Sequence, residues 1–204
     1  MIVFAKAPQP GRVKTRLAAC LGAEGAARLH AALVERTLAV ASRAKCGPVE
    51  LHGAPRGNRW LRAMARRQGI GLRWQAGGDI GARMQSALRR ALRLHSRVIL
   101  VGSDCPVLAP SDLRRATRLL ATCDAVIAPA EDGGYPMIGV SRSGGGLARL
   151  FEGIEWSTSS VLASTRKRLA SMDWRWRELR TLWDVDRPAD VGRLRRMRFR
   201  ERRS

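Results

Sequence analysis

The sequence predicts an α/β protein of three layers, with helices on both faces of a mostly parallel, mixed sheet. Three observations predict it. Seven short apolar runs alternate with helix-length stretches, the pattern of strands joined by crossover helices. Two of the later runs are separated only by Glu131-Asp132-Gly133-Gly134, too few residues for a parallel crossover, so at least one strand runs antiparallel. And 204 residues with 45% hydrophobic content suffice for one core, with no internal repeat or low-complexity linker to divide it.

The first strand is expected over residues 2–7, an apolar run stopped by Pro8 and Pro10. A long helix follows over 25–43, where Leu29, Ala32, Leu33, Arg36, Leu38 and Val40 give a mostly apolar face. The remaining strands are expected at 49–53, 72–75, 98–102, 125–130, 135–140 and 176–182, and the remaining helices at 59–68, 80–94, 111–121 and 159–170. Ser111 is the expected N-cap of its helix, and Pro188 is suited to the first turn of a last one. Gly144-Gly145-Gly146 marks a flexible surface turn. One domain is expected over 1–194, followed over 195–204 by a helix end that frays into a basic tail.

Net charge is +21, yet only four of the 38 basic residues are lysine. The excess is arginine, spread over helix faces (Arg62, Arg66, Arg67, Arg89, Arg90, Arg93) and densest from Arg193 to Arg203. A basic nucleic-acid-binding protein is one reading of such a charge. No zinc-finger, ribonucleoprotein or single-strand-binding motif accompanies it, which makes nucleic acid an unlikely partner. The four cysteines and three histidines form no metal-binding spacing, so buried free thiols are expected. No apolar run approaches a membrane span and the start does not resemble a signal peptide, so a cytoplasmic location is expected.

Five segments could carry chemistry. The first strand runs into a loop with Pro8, Pro10 and Gly11 and the cations Lys6, Arg12, Lys14 and Arg16, a common way to hold phosphate at a sheet edge. The strand at 98–102 ends in Gly102-Ser103-Asp104-Cys105-Pro106; a carboxylate there suits Mg²⁺ or Mn²⁺ bridging phosphate oxygens, or caps the next turn. Asp132-Gly133-Gly134-Tyr135 makes a tight turn or touches a ligand, and Glu131 and Asp132 could orient an acceptor or take its proton. In Trp183-Asp184-Val185-Asp186, alternation puts both aspartates on one face; they could join Asp104 at a metal, or Asp186 could cap the helix begun by Pro188. Gly77-Gly78-Asp79-Ile80-Gly81 leads into a helix N-terminus and permits close approach of a ligand.

Together these segments resemble one family. Phe4-Ala5-Lys6-Ala7-Pro8, the loop through Leu17, Gly78-Asp79-Ile80-Gly81 with Arg83-Met84, Gly102-Ser103-Asp104-Cys105-Pro106, 129–135, Trp156-Ser157-Thr158 and Trp183-Asp184-Val185-Asp186 match in order and spacing. The chain resembles the small bacterial GT-A-fold transferases typed as arsenosugar-biosynthesis-type glycosyltransferases, within the nucleotide-diphospho-sugar transferase superfamily. The opening loop is also similar to that of the 2-phospholactate guanylyltransferase. The resemblance implies a Rossmann-like GT-A domain, a divalent metal (Mg or Mn), an NDP-sugar or nucleotide donor and a small-molecule acceptor. It implies that Gly11, Arg12, Lys14 and Arg16, with Lys6 beside them, hold phosphates, and that Gly78, Asp79 and Gly81 lie against base or ribose. Asp104, Asp186 and Asp184 would bind the metal. Asp132, Gly133, Gly134 and Tyr135 would face sugar or acceptor, and Trp156, Ser157 and Thr158 would close over it. Glycosyl transfer is expected, with Lys14, Asp104 and Asp132 catalytic; nucleotidyl transfer from an NTP is the alternative.

Overall fold

The computed structural model describes residues 1–142 and 146–201. Gly144 and Gly145 of the expected turn, and the last three residues of the expected tail, lie outside the described residues. The elements in chain order are β1 (Ile2–Lys6), α1 (Ala18–Ala44), β2 (Glu50–Ala54), α2 (Arg59–Gln68), β3 (Gly71–Trp74), α3 (Ile80–Leu92), β4 (Arg97–Gly102) and α4 (Pro110–Leu119). Then come β5 (Ala125–Ala128), β6 (Met137–Ser141), α5 (Leu147–Leu150), α6 (Val161–Ser171), β7 (Trp176–Glu178) and α7 (Pro188–Glu201). One 3₁₀ turn, Thr15–Leu17, precedes α1.

The seven strands form one sheet in the order β3-β2-β1-β4-β6-β5-β7. β6 pairs antiparallel with both β4 and β5, and all other pairs are parallel. The mixed sheet expected from the short 131–134 connection is therefore what forms. Alternation along the strands divides the core. Val3, Ala5, Ile99, Val101, Val126 and Ala128 face α1, α2 and α4 through Leu38, Leu61 and Leu113. Ile2, Phe4, Val98, Leu100, Ala125 and Ile127 face α3 and α6 through Leu88 and Leu169. A third cluster joins Leu17, Leu33, Trp183, Val185, Val191 and Leu194. It pins the Leu182–Asp186 segment between α1 and α7.

Four sequence expectations are corrected. Ser111 is not the N-cap of α4: Ala109 is, with Pro110 at the first helical position. Asp112 reaches back to accept the Ala109 N–H at 2.9 Å and is itself held by Arg180 at 2.8 and 3.0 Å. Of the thiols, Cys105 and Cys123 are buried, Cys46 is half-buried and Cys20 is exposed. α7 runs on to Glu201, past the point where a tail was expected to begin. Finally, Thr15–Ala44 is long and apolar enough by composition to cross a membrane, with a mean hydropathy of 1.2 over its best window. Its buried stripe (Leu33, Val34, Leu38, Ala41) packs into the clusters above.

The strand order reverses between β1 and β4, and ligands of open α/β sheets bind at the carboxyl ends of strands beside such a reversal. The loops leaving β1 and β4 are the two that the sequence singled out most strongly.

Candidate active site at the β1–β4 crevice

The loop after β1 is built around Lys14. Its backbone is left-handed, φ +48° and ψ +40°, an uncommon state for a residue with a Cβ. Four described non-glycine residues have positive φ: Lys14, Lys45, Ser157 and Asp173. Lys45 and Asp173 lie at the ends of α1 and α6, where such geometry is ordinary. Lys14 and Ser157 fall instead in segments expected to meet ligand, where strained backbone concentrates. The Lys14 side chain is only 5% exposed, and its Nζ lies 2.8 Å from Asp104 Oδ1.

Asp104 is delivered by the rigid end of β4. Its Oδ1 is shut from solvent and held by charge rather than a directed hydrogen bond. The side chain as a whole is 44% exposed, so its other oxygen opens to the crevice. Burial by itself would raise the carboxyl, but the His30 imidazole and Lys14 ammonium outweigh it and hold it at about 2. His30 Nε2 donates to the Lys6 carbonyl at 3.0 Å, which leaves Nδ1 directed to Asp104 at 3.6 Å. His30 thus ties the ends of β1 and β4 together. Metal-binding spacing gives no sign of His30; the available signal is a polar residue in the buried stripe of α1 between Ala26, Ala27 and Leu33.

The Leu182–Asp186 segment arrives from far along the chain. Val185 N–H donates to the Asp104 carbonyl at 3.0 Å, so the two acidic segments meet. Asp184 Oδ1 is buried without a hydrogen-bond partner. Burial, then the charges of Asp104, Asp132 and Asp186, push its carboxyl up to about 7, although Lys14 pulls the other way. Asp186 pairs with Arg16. It does not cap α7: Asp190 accepts the Asp186 and Arg187 N–H groups at 2.9 and 2.7 Å.

The fold therefore gathers Lys14, Arg16, Asp104, Asp184 and Asp186 at one crevice, with Asp132 within electrostatic reach. Among the described residues, no group of three or more His, Cys, Asp or Glu is arranged to hold a metal by itself. Asp104 and Asp184 nevertheless suit a hard cation. Two neighbouring carboxylates, one with an orphaned buried oxygen, lower their mutual repulsion when a divalent ion sits between them. Mg²⁺ commonly takes one or two carboxylates and fills its shell with phosphate oxygens and water.

A cleft of about 430 Å³ lies beside the ends of β1, β2 and β3, lined among others by Lys6, Arg12, Arg56, Gln75, Gly77 and Arg83. Gln75 Nε2 donates to the carbonyls of His52 (2.9 Å) and Ala5 (3.3 Å), fixing three strand ends in register. Gly11, at φ +71°, turns the loop that forms the cleft's rim. Asp79 caps α3, accepting the Ala82 N–H at 2.8 Å, and Gly78 has φ +91° and accepts from Arg83 at 2.8 Å. Gly81 is required by packing, since a Cβ there would meet the Trp156 ring at 2.4–2.5 Å. Sequence reasoning gives Arg56 no role, since nothing local marks it in a chain this rich in arginine, and it places Arg83 in a matched motif without assigning it to binding.

The Asp132–Tyr135 turn is anchored to the segment before α6. A Cβ on Gly133 would stand 2.1 Å from the Ser159 carbonyl oxygen, and Leu162 N–H donates to the Gly133 carbonyl at 2.8 Å. Asp132 accepts the Gly134 N–H at 3.0 Å and is otherwise exposed. Tyr135 lies against Thr165, and burial pushes its phenol up to about 12. Trp156 leans on Phe151 at 6.1 Å, and Thr158 donates to the Glu155 carbonyl at 2.8 Å. Trp156 to Thr158 thus lie beside the Asp132 turn and over Gly81.

Residues 37–158 match the family described as "Uncharacterized protein conserved in bacteria (DUF2064)". Among solved structures, a protein of Desulfovibrio desulfuricans G20 assigned as a nucleotide-diphospho-sugar transferase is 30% identical, with 91% of this chain and 81% of that one covered and a TM-score of 0.84. A nucleotidyl transferase from Methanothermobacter shares the fold at 16% identity, coverage of 98% and 97%, and TM-score 0.70. Rv0371c of Mycobacterium tuberculosis, solved in complex with manganese, shares it at 24% identity, coverage of 95% and 96%, and TM-score 0.60. No curated protein matches.

Proposed function

The chain belongs to the DUF2064 family, and on that premise we propose that it is a transferase acting on a nucleotide-activated donor, a nucleoside diphosphate-sugar, with transfer at the anomeric carbon. One observation carries this reading. The buried Lys14 ammonium and the carboxylates Asp104 and Asp184, one oxygen of which lacks any partner, converge where the strand order reverses. That set has little use within the fold alone. It suits a diphosphate bridged by a cation.

The donor's nucleoside would lie in the 430 Å³ cleft, its diphosphate extending over the left-handed turn at Lys14. Asp104 and Asp184 would hold Mg²⁺ or Mn²⁺, which when bound neutralises diphosphate oxygens and stabilises them as the leaving group. The manganese complex of Rv0371c supports that choice of ion. Lys14 is already fixed by its ion pair, so its charge meets the leaving diphosphate without reorganising. Arg16, exposed and paired with Asp186, can exchange that partner for phosphate. Asp132 faces the same crevice from the turn and would orient the acceptor hydroxyl or take its proton. Trp156 to Thr158 would exclude water from the sugar.

Nucleotidyl transfer from an NTP is the second reading, favoured by the same lysine–aspartate pair, which would serve an α-phosphate equally well, and by the likeness to the Methanothermobacter fold. Incubation with Mn²⁺ and panels of NDP-sugars and NTPs separates the two: release of NDP marks the first, release of pyrophosphate the second. Neither product, together with no nucleotide-induced rise in Tm, would overturn both.

A further inference from the structure

Beside the nucleotide cleft lies a second, of about 380 Å³, lined by His52, Arg56, Arg73, Arg83 and Arg90 together with Trp74, Gln75 and Ser86. It opens between α3 and the sheet face of β2 and β3. On the opposite face of these strands Leu51 joins the apolar core, and Leu72 and Trp74 of the edge strand β3 pack against it while also bordering the cleft. On this face the alternating positions are Glu50, His52 and Arg73, with His52 in register with Arg73. A sheet face under a helix ordinarily buries apolar side chains. Here it carries charge, and His52 is only 3% exposed.

The charges do not balance. Glu50 accepts from Arg73 Nε at 3.0 and 3.1 Å and pairs with His52 Nε2 at 3.1 Å. That one carboxylate is thereby used. Arg83 spends its Nε on the Gly78 carbonyl and keeps its terminal nitrogens free. Arg56 and Arg90 have no ion-pair partner among the described residues. Burial lowers the His52 imidazole below its ordinary range; Glu50 opposes that shift, and the charges of Arg73 and Arg90 add to it. A concave wall of one sign focuses its field into the cleft, and guanidinium forks match planar or tetrahedral oxyanions.

We propose that this cleft is a second oxyanion site, built for a phosphoryl group of a small ligand and separate from the phosphate loop at Lys14. It shares Arg56, Gln75, Ala76 and Arg83 with the nucleotide cleft. The phosphoryl group therefore arrives either as a free anion or carried on a nucleoside seated next door. The free-anion form of the inference is independent of the transferase reading, and the carried form rests on its placement of the nucleoside.

The test is calorimetric titration at low salt of the full-length protein and three variants. Arg90→Ser removes a cleft cation from the exposed face of α3, Arg93→Ser removes an exposed cation at the C-cap of α3 and outside the cleft, and Lys14→Ala disables the other phosphate site. The probes are inorganic pyrophosphate, and a nucleoside 3′,5′-bisphosphate set against its 5′-monophosphate. A Kd for pyrophosphate weakened about tenfold or more by Arg90→Ser, the size of a lost charge-assisted contact, but kept by Arg93→Ser and Lys14→Ala, supports the free anion. The same dependence confined to the extra phosphate of the bisphosphate supports the carried group. Equal affinities of Arg90→Ser and Arg93→Ser for every probe, or loss of all binding in Lys14→Ala, would overturn the site. Failure of the transferase reading would show separately, as release of neither NDP nor pyrophosphate by the wild-type protein.

Discussion

Asp184 joins stability to ligation in a single carboxyl group. With its carboxyl pushed up to about 7 from an ordinary 3.8, the folded state keeps a proton that the unfolded chain releases. Stability of the metal-free protein therefore falls as pH rises from about 4 to about 7 and is level above that. Tm measured between pH 5 and 8 is expected to decline, and Asp184→Asn is expected to flatten the decline. Mn²⁺ added at pH 7.5 should raise Tm in the wild type and not in the variant; an equal rise in both would remove Asp184 from the metal site. Asp104, held at about 2, contributes in the opposite sense. Its share is present above pH 3.8 and is lost only as pH falls towards 2. His30→Ala would strip the Lys6 carbonyl of its donor and Asp104 of a neighbour. A loss of about 1–3 kcal/mol in urea unfolding is expected for such buried polar groups.

Among elements, two glycines show how packing, not ligand approach, can demand the residue. Gly133→Ala places a methyl 2.1 Å from the Ser159 carbonyl at a backbone φ of +86°. Unfolding is expected to cost about 2–4 kcal/mol less, combining overpacking with a strained backbone. Gly81→Ala pushes on the Trp156 indole instead, and a side chain can move where a carbonyl cannot. Its expected signature is a changed tryptophan fluorescence and a weaker acceptor KM, with a smaller fall in Tm than Gly133→Ala produces. Both glycines were legible as special in the sequence. Their reason was not, because Ser159 and Trp156 reach them only through the approach of α6 to the sheet. The last helix gives a similar case. Arg193 pairs with Glu131 at 2.6 and 2.9 Å and lies 4.3 Å over Trp183, so α7 braces both the Asp132 turn and the acidic segment.

At the scale of the molecule, the site depends on segments as far as 170 residues apart closing on one crevice, as Arg16 does on Asp186. Ligand that binds only the closed arrangement should stabilise the whole fold, by about 2.7 kcal/mol at a hundredfold excess over Kd. A scan of nucleotides with Mn²⁺ by thermal shift is expected to raise Tm in the wild type and to lose that rise in Lys14→Ala. The strands and their order of appearance could be taken from the chain alone, because alternation and breakers such as Pro8 and Pro106 are local consequences of side-chain chemistry. So could the acidic and cationic loops, since short-range spacing puts them after strands. The sequence by itself determined an α/β sheet and its chemical vocabulary: Lys14, Asp104, Asp132, Asp184 and Asp186. Only the tertiary structure decided which of these meet. The Val185–Asp104 hydrogen bond, the insertion of His30 between two strand ends and the ring of arginines around His52 all arise from packing between distant segments. No periodicity along the chain records that packing.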